Sequence, residues 1–335
     1  MSFYRVGGAY PFSVKSFKAS PLDFSPVNSH VLVCGSSGSG KSYFVSKLFP
    51  HPEGLMLFKP DNIFLSSDFK ITFFSDTGLP FLWDFKPFDV ADAYLYALKI
   101  DNSGIMASSL IPVLVDALMH CTDTNNHKNL TSFFDYLGFP QNKSQSKLKN
   151  KSPPSFISSQ IRSLIYSHFS FFYSSFTSKR GRPVKDPKSY KGLGKKFYVS
   201  FSGLGSLRSE FGAELVLRSL YSNLSSDFGT LIIDEFHHVA RPNSIVDTLL
   251  REFRISGQLV AISQSLSDIS SSILANFGTI LISRSIHPQD LLYLASLNEK
   301  LPHLVSSLPP FVFLNLSAFL SGSDKMPLYR WFNDD

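Results

Sequence analysis

The chain has 335 residues, 43% of them apolar and 33 of them Phe, and a formal net charge of +6, so it can bury one sizeable core plus an insertion, and it suits a polyanionic partner such as nucleic acid. Its only cysteines, Cys34 and Cys121, exclude a disulfide framework and point to a reducing, cytoplasmic compartment. No apolar run reaches the roughly 20 residues needed to cross a bilayer, and the start MSFYRVGGAYPF lacks the basic-then-apolar order of a signal peptide.

Residues 1–27 are rich in Phe, Pro and Ser without periodicity and read as an extended arm that could clamp a neighbouring subunit. His30–Cys34 (HVLVC) is a pure strand run, and Ser42–Phe49 is helix-like. Between them Gly35-Ser36-Ser37-Gly38-Ser39-Gly40-Lys41-Ser42 fits G-x-x-x-x-G-K-[ST], the Walker A pattern. In a strand-loop-helix unit the loop's backbone N–H groups converge on one anion, and the following helix adds the positive end of its dipole. Glycines are needed where a side chain would block that approach or forbid the dihedrals. Lys41 would reach the β- and γ-phosphates of ATP, and the Ser42 hydroxyl would join the shell of a Mg²⁺ ion. A Gly/Ser-rich turn ending by chance in Lys-Ser is the competing reading, and both flanks argue against it.

Leu55–Phe58, Ile71–Phe74 and Pro80–Trp83 look like short strands between turn residues. From Phe88 to Leu137 the spacing becomes helical, with Ile111, Leu114, Val115 and Leu118 on one face. Asn142–Pro154 is a polar, lysine-rich loop, and Gln160–Phe176 is again helix-like and strongly aromatic. The block 88–178 is therefore expected as an α-helical insertion on a nucleotide-binding domain spanning 28–335. The densest charge follows at 179–196, where Lys179, Arg180, Arg182, Lys185, Lys188, Lys191, Lys195 and Lys196 face a single acid, Asp186. Glycines and prolines rule out a regular helix there. Such a loop can track a DNA phosphate backbone without reading bases, or it can simply keep the surface soluble.

Beyond it strands and helices alternate: strand Phe197–Phe201, helix Ser209–Asn223, strand Thr230–Ile233, helix Ser244–Ile255, strand Leu259–Ser263, helix Ser267–Ala275 and strand Thr279–Ser283. Alternation of this kind means βαβ units and an α/β fold, with a mostly parallel sheet covered by helices on both faces. Asp234-Glu235 follows an apolar, β-branched strand directly, as a Walker B pair would. Ligands of open α/β sheets collect at the carboxyl ends of strands. Asp234 is thus placed to hold Mg²⁺, and Glu235 to orient and deprotonate the attacking water. Gln264, at the tip of another strand, could sense the γ-phosphate or hold the lytic water; an ordinary strand-to-helix connection with Ser267 and Asp268 starting the next helix fits equally well locally. His237 and His238 lack further ligands at metal spacing and read as polar loop residues.

The series VLVCGSSGSGKSYFVSKLF, FYVSFSGLGSLRSEFGAELVLRSLY, LIIDEFHHV and LREFRISGQLVAISQSLSDIS resembles the FtsK/HerA superfamily of DNA-pumping, P-loop ATPases, closest to its HerA-like branch of archaeal and viral genomes. The matching order runs from about His30 to beyond Arg284, loosely from Pro50 to Lys196. The resemblance implies a RecA/ASCE-like fold and a ring, a hexamer, in which one subunit's arginine reaches its neighbour's triphosphate. Arg254 is the first choice for that arginine, with Arg251, Arg208 and Arg284 as alternatives, and any of them can equally be a surface arginine paired with a carboxylate. The implied activity is ATP-driven translocation of double-stranded DNA, packaging a viral genome into a capsid with a capsid or portal-like docking protein as partner and the host cytoplasm or virion as its place. Plasmid conjugative transfer is the alternative. A replication initiator working as an AAA+-like nucleotide switch would need a helix-turn-helix, which the chain does not offer, and a small-molecule kinase is disfavoured by the strand-Asp-Glu element.

Overall fold

The computed structural model describes residues 3–6, 10–16, 28–59, 64, 70–74, 79, 84–123, 130–139, 159–173, 196–223, 228–242, 244–253, 257–321 and 328–330. Chain contacts divide it into two compact units, one made of Met1–Thr72, Gly194–Ser200 and Asn223–Asp335, the other of Phe73–Leu193 and Phe201–Ser222.

The first unit is built on a sheet. Its parallel heart consists of β3 (Val31–Cys34), β4 (Gly54–Leu57), β6 (Phe197–Ser200), β7 (Thr230–Ile233), β8 (Gln258–Ser263) and β9 (Thr279–Ile282). Spatially these strands run β9-β3-β8-β7-β4-β6, with β5 (Lys70–Phe73) beyond β6. Register is fixed by the apolar runs: Leu32 lies opposite both Ala261 and Ile280, and Met56 opposite Ile233. Strands covered on both faces must be apolar throughout rather than alternating, and Val31, Leu32, Val33 and Cys34 are all fully buried. On one face Val31, Val33, Leu55, Leu57, Val260 and Ile262 pack with Phe44 and Val45 of α1 (Lys41–Leu48).

Connections on the carboxyl side of these strands carry α7 (Ile245–Glu252), capped by Ser244 Oγ, which accepts the Val246 N–H at 3.1 Å, and α8 (Ser271–Leu274). The helix expected over Ser267–Ala275 is thus only its second half. The backbone N–H groups of Leu266 and Ser267 donate to the Asp290 carboxylate, which holds those residues out of helical geometry, and Ser270 occupies the N-cap instead.

After β9 the chain adds elements that the sequence reading did not anticipate: α9 (Pro288–Leu297), α10 (Leu301–Ser306), β10 (Val312–Asn315), α11 (Leu316–Leu320) and β11 (Leu328–Arg330). β10 runs antiparallel to β9 and to β11. The amino-terminal stretch expected as an extended arm carries β1 (Phe3–Val6) and β2 (Tyr10–Ser16), an antiparallel pair whose second strand runs parallel to β11.

The second unit is helical: α2 (Pro87–Ala97), α3 (Ile105–Asp123), α4 (Leu130–Tyr136), α5 (Ser159–Tyr173) and α6 (Ser206–Ser222). Of the α3 stripe expected at Ile111, Leu114, Val115 and Leu118, the last three are buried and Ile111 is half-buried. Much of the phenylalanine content is spent here. Phe172 stacks on Phe211 at 4.5 Å, Phe169 meets Tyr94 and Phe133 at 5.2 Å each, and the Tyr94 hydroxyl bonds His168 Nδ1 at 2.8 Å. Aromatic pairs in such offset and edge arrangements contribute about 0.5–1.5 kcal/mol each beyond their buried area. Pro80–Trp83, the loop 142–154 and the basic loop apart from Lys196 lie outside the described residues.

Candidate nucleotide site

The glycine-rich turn leaves β3 at Cys34 and enters α1 at Lys41. Its conformation requires glycine at Gly35 and Gly40, whose φ angles are +146° and +88°. A Cβ on Gly35 would lie 1.9 Å from Ser283 Oγ, and one on Gly40 would lie 2.3 Å from the Phe311 ring. Distant residues brace the turn: Ser283 Oγ donates to Ser39 Oγ at 2.7 Å, Ser36 N and Oγ donate to the Arg284 carbonyl at 2.9 and 2.8 Å, and Phe311 N donates to the Ser39 carbonyl at 3.1 Å. Lys41 is buried, and its ammonium donates to the Gly35 and Ser36 carbonyls at 2.8 and 2.9 Å. Burial pulls its pKa below the ordinary lysine value, while Asp234 and Glu235 act the other way.

The acidic pair closes the opposite wall. Asp234 N donates to the Met56 carbonyl at 2.9 Å, extending the β7–β4 ladder by one bond, and Asp234 Oδ1 accepts the Glu235 N–H at 2.9 Å. Glu235 then turns into the left-handed region, φ +51° and ψ +47°, ahead of a 3₁₀ turn over Phe236–His238. A non-glycine residue held there costs on the order of 1–3 kcal/mol and persists only where the surrounding structure over-determines the backbone. Its Oε1 accepts from Gln264 Nε2 at 2.7 Å and from the Lys59 ammonium. Oε2 and the His237 Nδ1, 3.5 Å apart, are buried without hydrogen-bond partners. Burial alone would raise the Glu235 carboxyl, but the bonds from Lys59 and Gln264 outweigh it and hold the group below the usual carboxylate range. Burial, reinforced by the neighbouring His238, pushes the His237 imidazole down.

These pieces meet. Ser37, Lys41, Ser42, Asp234, Glu235 and Gln264 line one cavity of about 220 Å³ at the carboxyl ends of β3, β7 and β8. Among the described residues no cluster of His, Cys, Asp and Glu could cage a metal by itself. Mg²⁺ does not need one, because it is held by one or two protein oxygens together with substrate phosphates and waters. Ser42 and Asp234, both on this cavity, are a donor set of that kind. Gly35, Ser36 and Ser39 form the rest of the turn, with Ser36 and Ser39 tied to the residues just after β9 and Ser39 also to the segment before β10.

Arg254 and the basic residues Lys179, Arg180, Arg182 and Lys185 lie outside the described residues. Of the alternative arginines, Arg251 pairs with Asp247 one turn earlier on its own helix, Arg284 is exposed, and Arg208 of the second unit donates to the Phe171 carbonyl. Lys59, Asp290 and Phe311 also shape the site, and none of them stands out in the sequence. Lys59 carries no local signal, because only the pairing of β4 with β7 brings its ammonium to Glu235. Asp290 buries its carboxylate under the loop after Gln264, and nothing local in PQDLLYL announces that.

No family model and no curated protein matches the chain. Solved structures do. The trigonal form of the bacterial conjugative coupling protein TrwB, in complex with sulphate, superposes with a TM-score of 0.61 at 16% identity, covering 90% of this chain and 84% of that one. TrwB with ADP and Mg²⁺ gives 0.59 at 16% identity over the same shares. VirB4 of Thermoanaerobacter pseudethanolicus gives 0.54 at 14% identity, over 86% of this chain and 87% of that one. The chain has the α/β fold of P-loop NTPases, the fold that its resemblance to the FtsK/HerA superfamily implies.

Proposed function

We propose that the chain is an ATP-driven DNA translocase of the FtsK/HerA type. The observation that carries the reading is the single cavity shared by the Lys41–Ser42 turn and the Asp234–Glu235 pair. Phosphoryl transfer needs little covalent help from a protein, so positioning and charge neutralisation do nearly all of the work. Here the Lys41 ammonium exchanges its bonds to the Gly35 and Ser36 carbonyls for the β- and γ-phosphate oxygens of ATP. Ser42 and Asp234 would hold Mg²⁺, which would supply positive charge against the phosphate oxygens. Glu235, kept ionised at neutral pH, accepts the proton of the attacking water, and Gln264 orients that water from beside the same carboxylate oxygen.

Subunits assemble as a ring, a hexamer, in which an arginine supplied in trans completes the site; Arg254 is the first candidate. The basic segment 179–196 follows the phosphate backbone of duplex DNA. The cargo is a viral genome packaged into a capsid with a portal-like partner. Likeness to TrwB, a conjugative coupling protein, favours a second reading in which the cargo is a transferred plasmid.

One assay tests the proposal: ATPase rate with and without duplex DNA, with triplex displacement reporting movement. A motor shows DNA-stimulated turnover and displaces the third strand. Glu235→Gln retains ATP and stops both activities. Turnover indifferent to DNA would favour a small-molecule kinase, DNA binding without displacement a nucleotide switch, and either result removes the motor reading. Because a trans arginine contributes about 10³–10⁵ in rate, a monomer-locked form that matches the assembled protein would remove the ring.

A further inference from the structure

Phe311 is in the wrong place for an ordinary core residue. It is 43% exposed, although it is among the most apolar side chains. It also holds a φ of +61°, a region that bulky residues avoid and that is costly without a reason elsewhere. The following strand β10 already places Phe313 fully in the core, stacked on Phe44 at 4.3 Å, so Phe311 is not needed as an anchor. What fixes Phe311 is the phosphate turn. Its N–H bonds the Ser39 carbonyl, its ring occupies the space that a Cβ on Gly40 would take, and it stands edge-on to Tyr43 at 6.5 Å and 82°. Tyr43 itself lines the cavity, and the Lys47 ammonium lies 5.4 Å from its ring centre.

A triphosphate in this cavity has its ends told apart by chemistry. Lys41 and the carboxylates mark the γ end, and the turn's backbone N–H groups take the α- and β-phosphates. The nucleoside then leaves past the first turn of α1, where Tyr43 and Phe311 stand. Resting on the triphosphate reading above, we propose that Phe311, buttressed edge-on by Tyr43, is the stacking platform for the nucleobase. An aromatic face reads the π-surface that every base has, so the platform accepts adenine and guanine alike and leaves the affinity for bare polyphosphate untouched.

The test measures equilibrium binding of MgATP, MgGTP and inorganic tripolyphosphate to the full chain, its Phe311→Ala and Phe311→Trp variants, and Lys41→Ala as the control for phosphate capture. Base stacking is worth about 1–3 kcal/mol, or roughly 5- to 150-fold in affinity. Phe311→Ala is expected to weaken ATP and GTP by that factor and by equal amounts, with tripolyphosphate unchanged and with Phe311→Trp restoring both nucleotides. Equal losses for nucleotide and tripolyphosphate would show that Phe311 only props the turn; unchanged ATP affinity, or a loss confined to one of the two nucleotides, would also overturn the platform. If the unaltered chain bound neither ATP nor tripolyphosphate, or if Lys41→Ala bound them normally, the nucleotide site itself would be lost rather than the platform alone.

Discussion

Replacing Asp290 by alanine removes a carboxylate that accepts four hydrogen bonds. The side chain is 1% exposed. Its Oδ1 accepts from Ser265 Oγ at 2.7 Å and from Leu266 N and Ser267 N at 3.0 Å each, while Oδ2 accepts from Ser285 Oγ at 2.9 Å. A hydrogen bond to a charged group is worth about 1.5–3 kcal/mol, so simple addition would exceed 6 kcal/mol. The sum overstates the effect, because removing the charge also returns the several kcal/mol spent on desolvating it and because bonds to one group are not additive. A loss of about 3–5 kcal/mol remains, the level reached when buried donors are stranded. Asp290→Asn separates charge from geometry: the amide oxygen still accepts the three loop donors and its nitrogen donates to Ser285, so the cost falls to about 1–2 kcal/mol. Urea denaturation gives both values. Gln264 sits immediately before the tethered residues, so turnover should fall in Asp290→Ala by more than the unfolded fraction explains, and less in Asp290→Asn. If Asp290→Ala unfolds within about 1 kcal/mol of the parent chain, or if the two variants are equally destabilised, the carboxylate does not organise this loop and the reasoning fails.

Gly40→Ala forces a side chain into the left-handed region, at about 1–2 kcal/mol, and drives its Cβ into the Phe311 ring; a tenfold or greater loss of nucleotide affinity is expected by calorimetry, and an unchanged affinity would refute the close approach. The bond from Lys59 helps hold the Glu235 carboxyl below its ordinary pKa, so this contribution to stability is present above the ordinary carboxylate value and is lost as pH falls through the depressed one. Lys59→Met should therefore destabilise the chain at pH 7 but not in strong acid, and should move the acid limb of the pH–rate profile upward; a profile with the parent's acid limb would exclude the pairing. Lys41 differs in what the shift does at neutral pH: its folded pKa also lies below the unfolded one, so stability of the parent again rises with pH between those two values, but the charged form carries a cost rather than a gain. Lys41→Met should abolish ATP binding, flatten that rise in denaturation curves taken from pH 7 to 10, and leave stability at pH 7 no lower than the parent's.

The parts of the fold that were legible in the sequence share one physical property: they are local. A strand buried on both faces must be an unbroken apolar run, so β3, β7 and β8 announce themselves within a residue of their observed ends. The same holds for the glycine pattern of the phosphate turn and for the carboxylates that follow β7. The illegible parts are set by partners far along the chain. β10 has four residues and follows Pro309-Pro310, too short a segment for any period to show, and it becomes a strand because β9 offers an open edge. α8 starts four residues later than expected because Asp290, more than twenty positions away, claims the N–H groups of the loop before it. Lys59 reads as one more surface lysine until β4 is seen beside β7, where the end of one strand delivers an ammonium to the carboxylate at the end of the other.

The phosphate turn shows why its motif is necessary without being sufficient. Glycines allow the backbone angles at Gly35 and Gly40, but allowance also means many unfolded conformations to give up, so glycine alone makes a floppy loop. The turn is held by what was added after β9: the Ser283 hydroxyl on Ser39, the Arg284 carbonyl on Ser36, and the Phe311 N–H on the Ser39 carbonyl, each reaching back across more than two hundred residues. Each bond is worth only about 1 kcal/mol net, but all of them act on one turn of a few residues. A pre-shaped anion cradle does not have to spend binding energy on ordering itself. Cutting the chain after β9 would therefore leave every residue of the recognisable motif in place and still cost much of its affinity for phosphate.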